Sequence, residues 1–133
     1  EVDEGSRPLT RIELQALVEG GVSIGSHTVS HPVLSRCDDA TLKRELNQSR
    51  HDLEAMTGSP VTTLSYPVGG ADAHDHRVRQ AAREAGYRLA CAYVPGFNRR
   101  RTADLFALRR QRIERYIDQD RFRAMLACPE VFK

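Results

Sequence analysis

The alternation of helical and strand-like patterns limits the possible folds of this chain more than any other feature. Four segments carry apolar residues at helical spacing, at about residues 10–19, 38–57, 75–85 and 118–127. Four short strand candidates lie among them, at residues 22–25, 61–66, 88–94 and 111–116. An alternation of this kind predicts an α/β fold with about four parallel strands and four helices.

Capping residues mark where the helices begin and end. Thr10 and Glu13 form a capping box, and Gly20 follows the apolar stripe of that first helix. The clearest stripe repeats at steps of four, three, four and three, at Leu42, Leu46, Ser49, Leu53 and Met56. His51 lies off this stripe, so we expect it to be solvated.

The length of 133 residues suffices for one domain with an apolar core. We expect a flexible leader at residues 1–9 and a single domain at residues 10–133. No apolar run approaches the roughly 20 residues of a membrane span, and no signal peptide pattern is visible, so no membrane partner is expected. Cys37, Cys91 and Cys128 are odd in number and dispersed. They favour free thiols and a cytoplasmic location.

The net charge of +2 conceals an asymmetry between the two parts of the chain. Residues 1–87 hold 9 Lys and Arg against 13 Asp and Glu, a balance of −4. Residues 88–133 hold 11 against 5, a balance of +6. A basic C-terminal part favours an anionic partner.

Residues 25–32, with the sequence Gly-Ser-His-Thr-Val-Ser-His-Pro, follow the first strand candidate. Neutral imidazole is the commonest protein ligand of transition metals, and catalytic zinc is held by three protein groups with one position left for water. His27 and His31 can supply two of these groups. Pro32 disfavours a helical conformation at His31, so the segment is at most a single turn. A polar loop with two exposed histidines is the alternative.

Two other loops are expected to meet the histidine loop. In folds with parallel strands, the chemistry collects at the C-terminal ends of the strands. Residues 66–70 and residues 95–98 follow the second and third strand candidates. We therefore expect three loops at one edge of the sheet.

Residues 24–35 resemble the metal-binding segment of the polysaccharide deacetylase (NodB-homology) family. Weaker matches follow in the family's order, at residues 64–69, 85–87 and 94–98. The resemblance extends from about residue 9 to the last helix. It implies a partial, distorted (β/α) barrel that removes N-acetyl groups from a polysaccharide or oligosaccharide with the help of a divalent metal, zinc being the expected one.

The resemblance also implies roles for individual residues. His27 and His31 match the two histidine ligands of the metal, which polarises the amide carbonyl and lowers the pKa of bound water to about 7. The backbone N–H of Val68 matches the donor to the developing oxyanion. The residues that match the substrate-binding wall are Tyr66, Pro67 and Gly69. An ordinary strand-to-helix turn would use the same proline and glycine.

The departures from the family pattern concern the remaining catalytic groups. The Asp-Asp motif, which supplies the base and the third metal ligand, has no counterpart, because Asp3 and Glu4 lie in the leader without a preceding strand. Ser65 stands where the family usually has an arginine, and the late Leu-x-His that supplies the general acid matches residues 108–110, which end in arginine. Substitute third ligands are available at Asp72, His74, Asp75 and His76. The chain therefore resembles the C-terminal part of a deacetylase domain.

Three functions remain open on these patterns. The first is a metal-dependent carbohydrate deacetylase completed by a longer chain or by an assembly. The second is an inactive remnant that serves as a binding or oligomerisation module. The third is a nucleic-acid or polyanion binder that uses the arginines of residues 99–115 with Phe106 and Tyr116. This interpretation is the least favoured, so no nucleic acid partner is expected. Because a half-barrel exposes strand edges, we expect a homo-oligomer.

Overall fold

The computed structural model describes residues 7–128 and residue 131. Asp3, Glu4 and most of the expected leader lie outside the described residues. Within them are a 3₁₀-helix at Leu34–Arg36 and four α-helices, namely α1 (Arg11–Glu19), α2 (Asp39–Thr57), α3 (His76–Glu84) and α4 (Gln119–Ala127). All four predicted helices are present.

Each α-helix begins at a side-chain cap. Thr10, Asp38, Asp75 and Asp118 each accept a hydrogen bond from the backbone N–H three residues further on. Such caps satisfy donors that have no partner within the helix. The capping box of Thr10 and Glu13 is confirmed in full. These caps explain why the helix starts are legible in the sequence.

The strands are fewer and shorter than the patterns predict. Within the described residues, the sheet contains β1 (Thr63–Ser65) and β2 (Leu89–Cys91), which pair in parallel. Ser26 adds a single parallel bridge to β1, and Leu108 adds one to β2. Of the roughly four parallel strands predicted, two are present as strands and two segments make single parallel bridges. The predicted strand at residues 111–116 is wrong, because the parallel contact is made at Leu108 instead.

The core lies between the sheet and helices α2 and α3. Its largest fully buried side chains are Leu34, Leu42, Leu46, Val61, Leu64, Tyr66 and Val78. His51 is exposed, as predicted. Helix α4 buries Met125 but leaves Leu126 65% exposed. No helix within the described residues has the length and apolar character needed to cross a membrane.

The order of the parallel segments positions the candidate site. Across the sheet, the order is Ser26, β1, β2 and Leu108. Because all three contacts between these four segments are parallel, the chain leaves each segment at the same edge. The histidine loop, residues 66–70 and the segment after β2 all begin there.

Candidate active site

His27 and His31 lie side by side in the loop that follows Ser26. Their ring centroids are 4.8 Å apart, with the ring planes at 76°. Nδ1 of His27 lies 2.7 Å from the backbone carbonyl of Ser65. Since a carbonyl oxygen only accepts hydrogen bonds, Nδ1 carries a proton, and the neutral form of the ring has its lone pair on Nε2. Histidine ligands of metals are commonly fixed by a hydrogen bond of this type.

A buried carboxylate on α2 anchors the loop that carries the histidines. Glu45 is 2% exposed, and its Oε2 accepts hydrogen bonds of 2.9 Å from the backbone N–H groups of Val29 and Ser30. Its Oε1 accepts a third, of 2.8 Å, from the hydroxyl of Ser30. Burial opposes ionisation, but the hydrogen bonds from Ser30 and Val29 outweigh it and hold the pKa of Glu45 below its ordinary value.

Sequence reasoning did not single out Glu45, although a signal was present. Glu45 lies three residues after Leu42 and four before Ser49, on the face of α2 that is buried. A charged residue on a buried helical face requires a partner. Ser49, on the same face of α2, shares a 2.8 Å hydrogen bond with Ser26. Helix α2 therefore holds the histidine loop both at its start and at the part that Glu45 binds.

Backbone strain is concentrated in the same region. The described residues include three non-glycine positions with positive φ, namely Thr28 at 69°, His31 at 58° and Val68 at 61°. Two lie in the histidine loop and one in the turn after β1. Positive φ is rare for non-glycine residues and most unfavourable for a β-branched one such as Val68. Such conformations cluster at functional sites, where the surrounding structure maintains them.

The turn after β1 contains the backbone N–H of Val68, which the resemblance matches to the donor to the oxyanion. Gly69 donates a 2.6 Å hydrogen bond to the carbonyl of Pro67, and Gly69 also has a positive φ of 65°. The side chain of Val68 is 59% exposed. No described residue accepts a hydrogen bond from the N–H of Val68.

Tyr66 supports this turn from inside the protein. Its side chain is 1% exposed, and its hydroxyl donates a 2.9 Å hydrogen bond to the carbonyl of Phe106. Its ring stacks on that of His74, with centroids 4.7 Å apart. Burial raises the pKa of the Tyr66 phenol, so the hydroxyl remains a donor. Pro67 is also buried, whereas Val68 projects from the surface.

The third loop reaches the site through Tyr93. The backbone N–H of Tyr93 donates a 2.6 Å hydrogen bond to the carbonyl of Gly69. A Cβ atom at Gly69 would lie 2.7 Å from both N and Cβ of Tyr93, so only glycine fits there. Within residues 95–98, Asn98 instead pairs with the backbone of Arg109. Tyr93, rather than residues 95–98, contacts the turn.

The histidine pair fits two of the three protein groups that a catalytic metal site requires. Among residues 7–128 and 131, no three His, Cys, Asp or Glu side chains are placed to hold a metal ion. Asp75 caps α3, and His74 is buried against Tyr66. Among the described residues, His27 and His31 therefore form no three-ligand group with any of the candidate third ligands, Asp72, His74, Asp75 and His76.

Comparison with known proteins identifies similar chains. The family model described as polysaccharide deacetylase matches residues 8–90. The Bacillus subtilis (strain 168) protein YxkH is 29% identical over 105 residues, which are 79% of this chain and 36% of that protein. The chain thus spans about a third of the length of this relative.

Solved structures show the same relationship. A polysaccharide deacetylase from Bacillus cereus has a TM-score of 0.77 and 28% identity, covering 92% of this chain and 38% of that one. A Streptococcus pyogenes deacetylase, solved in complex with acetate, has a TM-score of 0.80 and 21% identity, covering 91% of this chain and 52% of that one. At this lower identity, the second likeness concerns the fold alone.

Proposed function

Because the chain belongs to the polysaccharide deacetylase family, we propose that it forms the histidine-bearing part of a hydrolase that removes N-acetyl groups from a carbohydrate polymer. The observation that carries this proposal is the junction of two strained loops. The Nδ1 proton of His27 binds the carbonyl of Ser65 at the start of the turn that holds Val68. This contact joins the residue proposed as a metal ligand to the turn that carries the proposed oxyanion donor.

Some residues of this chain would bind the metal, and another would stabilise the negative charge that develops during the reaction. A bound divalent metal, zinc in the first instance, supplies a Lewis acid and an activated water in sites of this kind. His27 and His31 would hold it. Val68 would donate its N–H to the oxygen that becomes negative as the amide is attacked, and one such donor is worth about 3 kcal/mol. Gly69 admits the close approach of Tyr93 that fixes this turn.

The third metal ligand, the base and the acid would come from residues outside this chain. Arg110 occupies the position matched to the family's acid histidine, and it donates a 2.9 Å hydrogen bond from Nε to the carbonyl of Ala92. A guanidinium stays charged and does not serve as a proton donor near neutral pH. A longer polypeptide or a second copy would also supply the strands that complete a barrel.

Zinc titration tests the role of the histidine pair. We expect His27→Ala and His31→Ala each to weaken zinc binding by at least tenfold, because each removes one ligand. His51→Ala is the matched control, since His51 is exposed on α2 and remote in sequence from the loop. Isothermal titration calorimetry measures the affinity. Equal zinc affinity of the wild type and both loop variants would refute the proposal.

Acetate release tests the reaction. We expect hydrolysis of N-acetylated oligosaccharides by the polypeptide encoded by the whole reading frame, and loss of this activity on His27→Ala. Activity that survives this substitution would refute the assigned role of His27.

A binding module without catalysis is the second candidate. The lack of a three-ligand group within the described residues favours it. In that case, the protein would bind oligosaccharide and release no acetate, even when zinc is supplied. Sedimentation would then test the expected self-association, which a compact monomer at micromolar concentration would contradict.

A further inference from the structure

A basic and aromatic cavity of about 500 Å³ lies beyond the residues matched by the family model. Its lining combines three arginines, one glutamate and two tyrosines, namely Arg110, Arg112, Arg121, Glu114, Tyr93 and Tyr116. Three positive charges thus face one negative charge. The cavity lies in the part of the chain that carries the excess of positive charge.

The cationic groups are arranged around an aromatic face. The guanidinium carbon of Arg110 lies 5.7 Å from the ring centroid of Tyr93, and that of Arg112 lies 6.0 Å from it. The hydrogen bond from Arg110 to Ala92 fixes the first guanidinium at the end of β2. Arg112 also pairs with Glu114, which offsets part of the charge. The remaining charge in the cavity is positive.

Tyr93 connects this cavity to the candidate active site. Its ring lines the cavity, while its backbone N–H binds the carbonyl of Gly69 in the turn that presents Val68. Tyr93 is therefore shared between the cavity lining and the contact to this turn.

We propose that this cavity binds a negatively charged stretch of the substrate, so that the substrate is an anionic polysaccharide. This inference rests on the proposed deacetylase function. Arginine matches the planar geometry of carboxylate and phosphate groups with paired hydrogen bonds. Tyr93 and Tyr116 offer flat apolar faces to sugar rings, and Tyr116 is 76% exposed.

Binding of defined oligomers tests the proposal. The probes are a galacturonic acid hexamer, a glycerol phosphate oligomer of similar charge and a neutral chitohexaose, each titrated without added zinc. We expect at least one anionic probe to bind roughly tenfold more tightly than the neutral one, with affinity falling as salt is raised. The two anionic probes distinguish carboxylate from phosphate recognition.

Substitutions locate the binding surface. Arg112→Gln and Arg121→Gln should each weaken binding of the anionic probe by roughly five- to tenfold, because each removes a charged hydrogen-bond donor. Tyr116→Ala should weaken it as well. Arg115→Gln is the matched control: Arg115 is exposed, carries the same charge and does not line the cavity. We expect this variant to stay within twofold of the wild type.

Three results would overturn the inference. They are equal affinity for neutral and anionic probes, equal losses for Arg115→Gln and Arg112→Gln, and tighter binding of a single-stranded RNA of equal charge. Because these titrations omit zinc, their outcome is separate from the metal test. Failure of zinc binding would remove the proposed metal role of the histidine pair and leave the cavity result in place.

Discussion

Replacement of Glu45 should remove the hydrogen bonds that attach the histidine loop to α2. Glu45→Ala removes the acceptor of three hydrogen bonds and leaves the N–H groups of Val29 and Ser30 without a protein partner. An unsatisfied buried donor costs about 1–3 kcal/mol, and water can reach the edge of this exposed loop, so we expect a loss of about 2–3 kcal/mol in the free energy of unfolding. Glu45→Gln keeps one oxygen acceptor and should cost only about 1 kcal/mol.

The pH dependence adds a second, independent check. The pKa of Glu45 is lower in the folded state than the ordinary value of about 4.3. Its charge therefore stabilises the fold at pH values above that ordinary value, and this contribution is lost as the pH falls through the folded-state pKa. The difference in stability between wild type and Glu45→Gln should accordingly shrink below about pH 4.

Urea unfolding, followed by circular dichroism between pH 3.5 and 7, measures both effects. Glu84→Ala is the control, because Glu84 is an exposed glutamate near the end of α3. Zinc affinity should fall in Glu45→Ala and change less in Glu45→Gln, since the loop positions His27 and His31. A loss in Glu45→Ala no larger than in Glu84→Ala would refute the anchoring role.

Two further substitutions test the turn after β1 and its support. Gly69→Ala should destabilise the fold by about 2–4 kcal/mol, because it combines a positive φ with a Cβ placed 2.7 Å from Tyr93. A shift in the urea midpoint under 0.5 M would contradict this. His74→Phe should reduce the loss of stability on acidification from pH 7 to 5, measured as the change in melting temperature. Burial, aided by Arg79, lowers the folded-state pKa of His74, so protonation below about pH 6.5 favours unfolding. An unchanged pH profile in the variant would contradict this explanation.

The helices could be predicted because their signals are local. Thr10, Asp38, Asp75 and Asp118 cap their helices through contacts three residues away in sequence. The stripe on α2 was only partly correct, since Leu42, Leu46 and Ser49 are buried whereas Met56 is 41% exposed. The end of that helix extends past the core. Capping fixes where a helix starts, but long-range packing decides how much of it is buried.

The strand positions depended on contacts that no local pattern encodes. Ala90 exchanges hydrogen bonds with Leu105 and Leu108, so the last parallel contact precedes the predicted strand at residues 111–116. Phe106, which is buried beside Leu105, was the residue that could have indicated the position of this last contact. In the same way, the two histidines could be paired from their spacing, whereas the anchoring by Glu45 and the strain at Val68 depend on tertiary structure.

The distribution of strain and support indicates which part of the site this chain builds by itself. Each residue held in a left-handed conformation costs of the order of 1–3 kcal/mol, and Thr28, His31 and Val68 are so held. The groups that offset this cost, the Glu45 carboxylate and the Ser65 carbonyl, belong to α2 and β1. The positions of the histidine rings therefore depend on elements within this chain. A segment that completes the metal site would add negative charge beside the imidazole rings. We therefore expect zinc affinity to rise when that segment is present, while the geometry of the histidine loop stays unchanged.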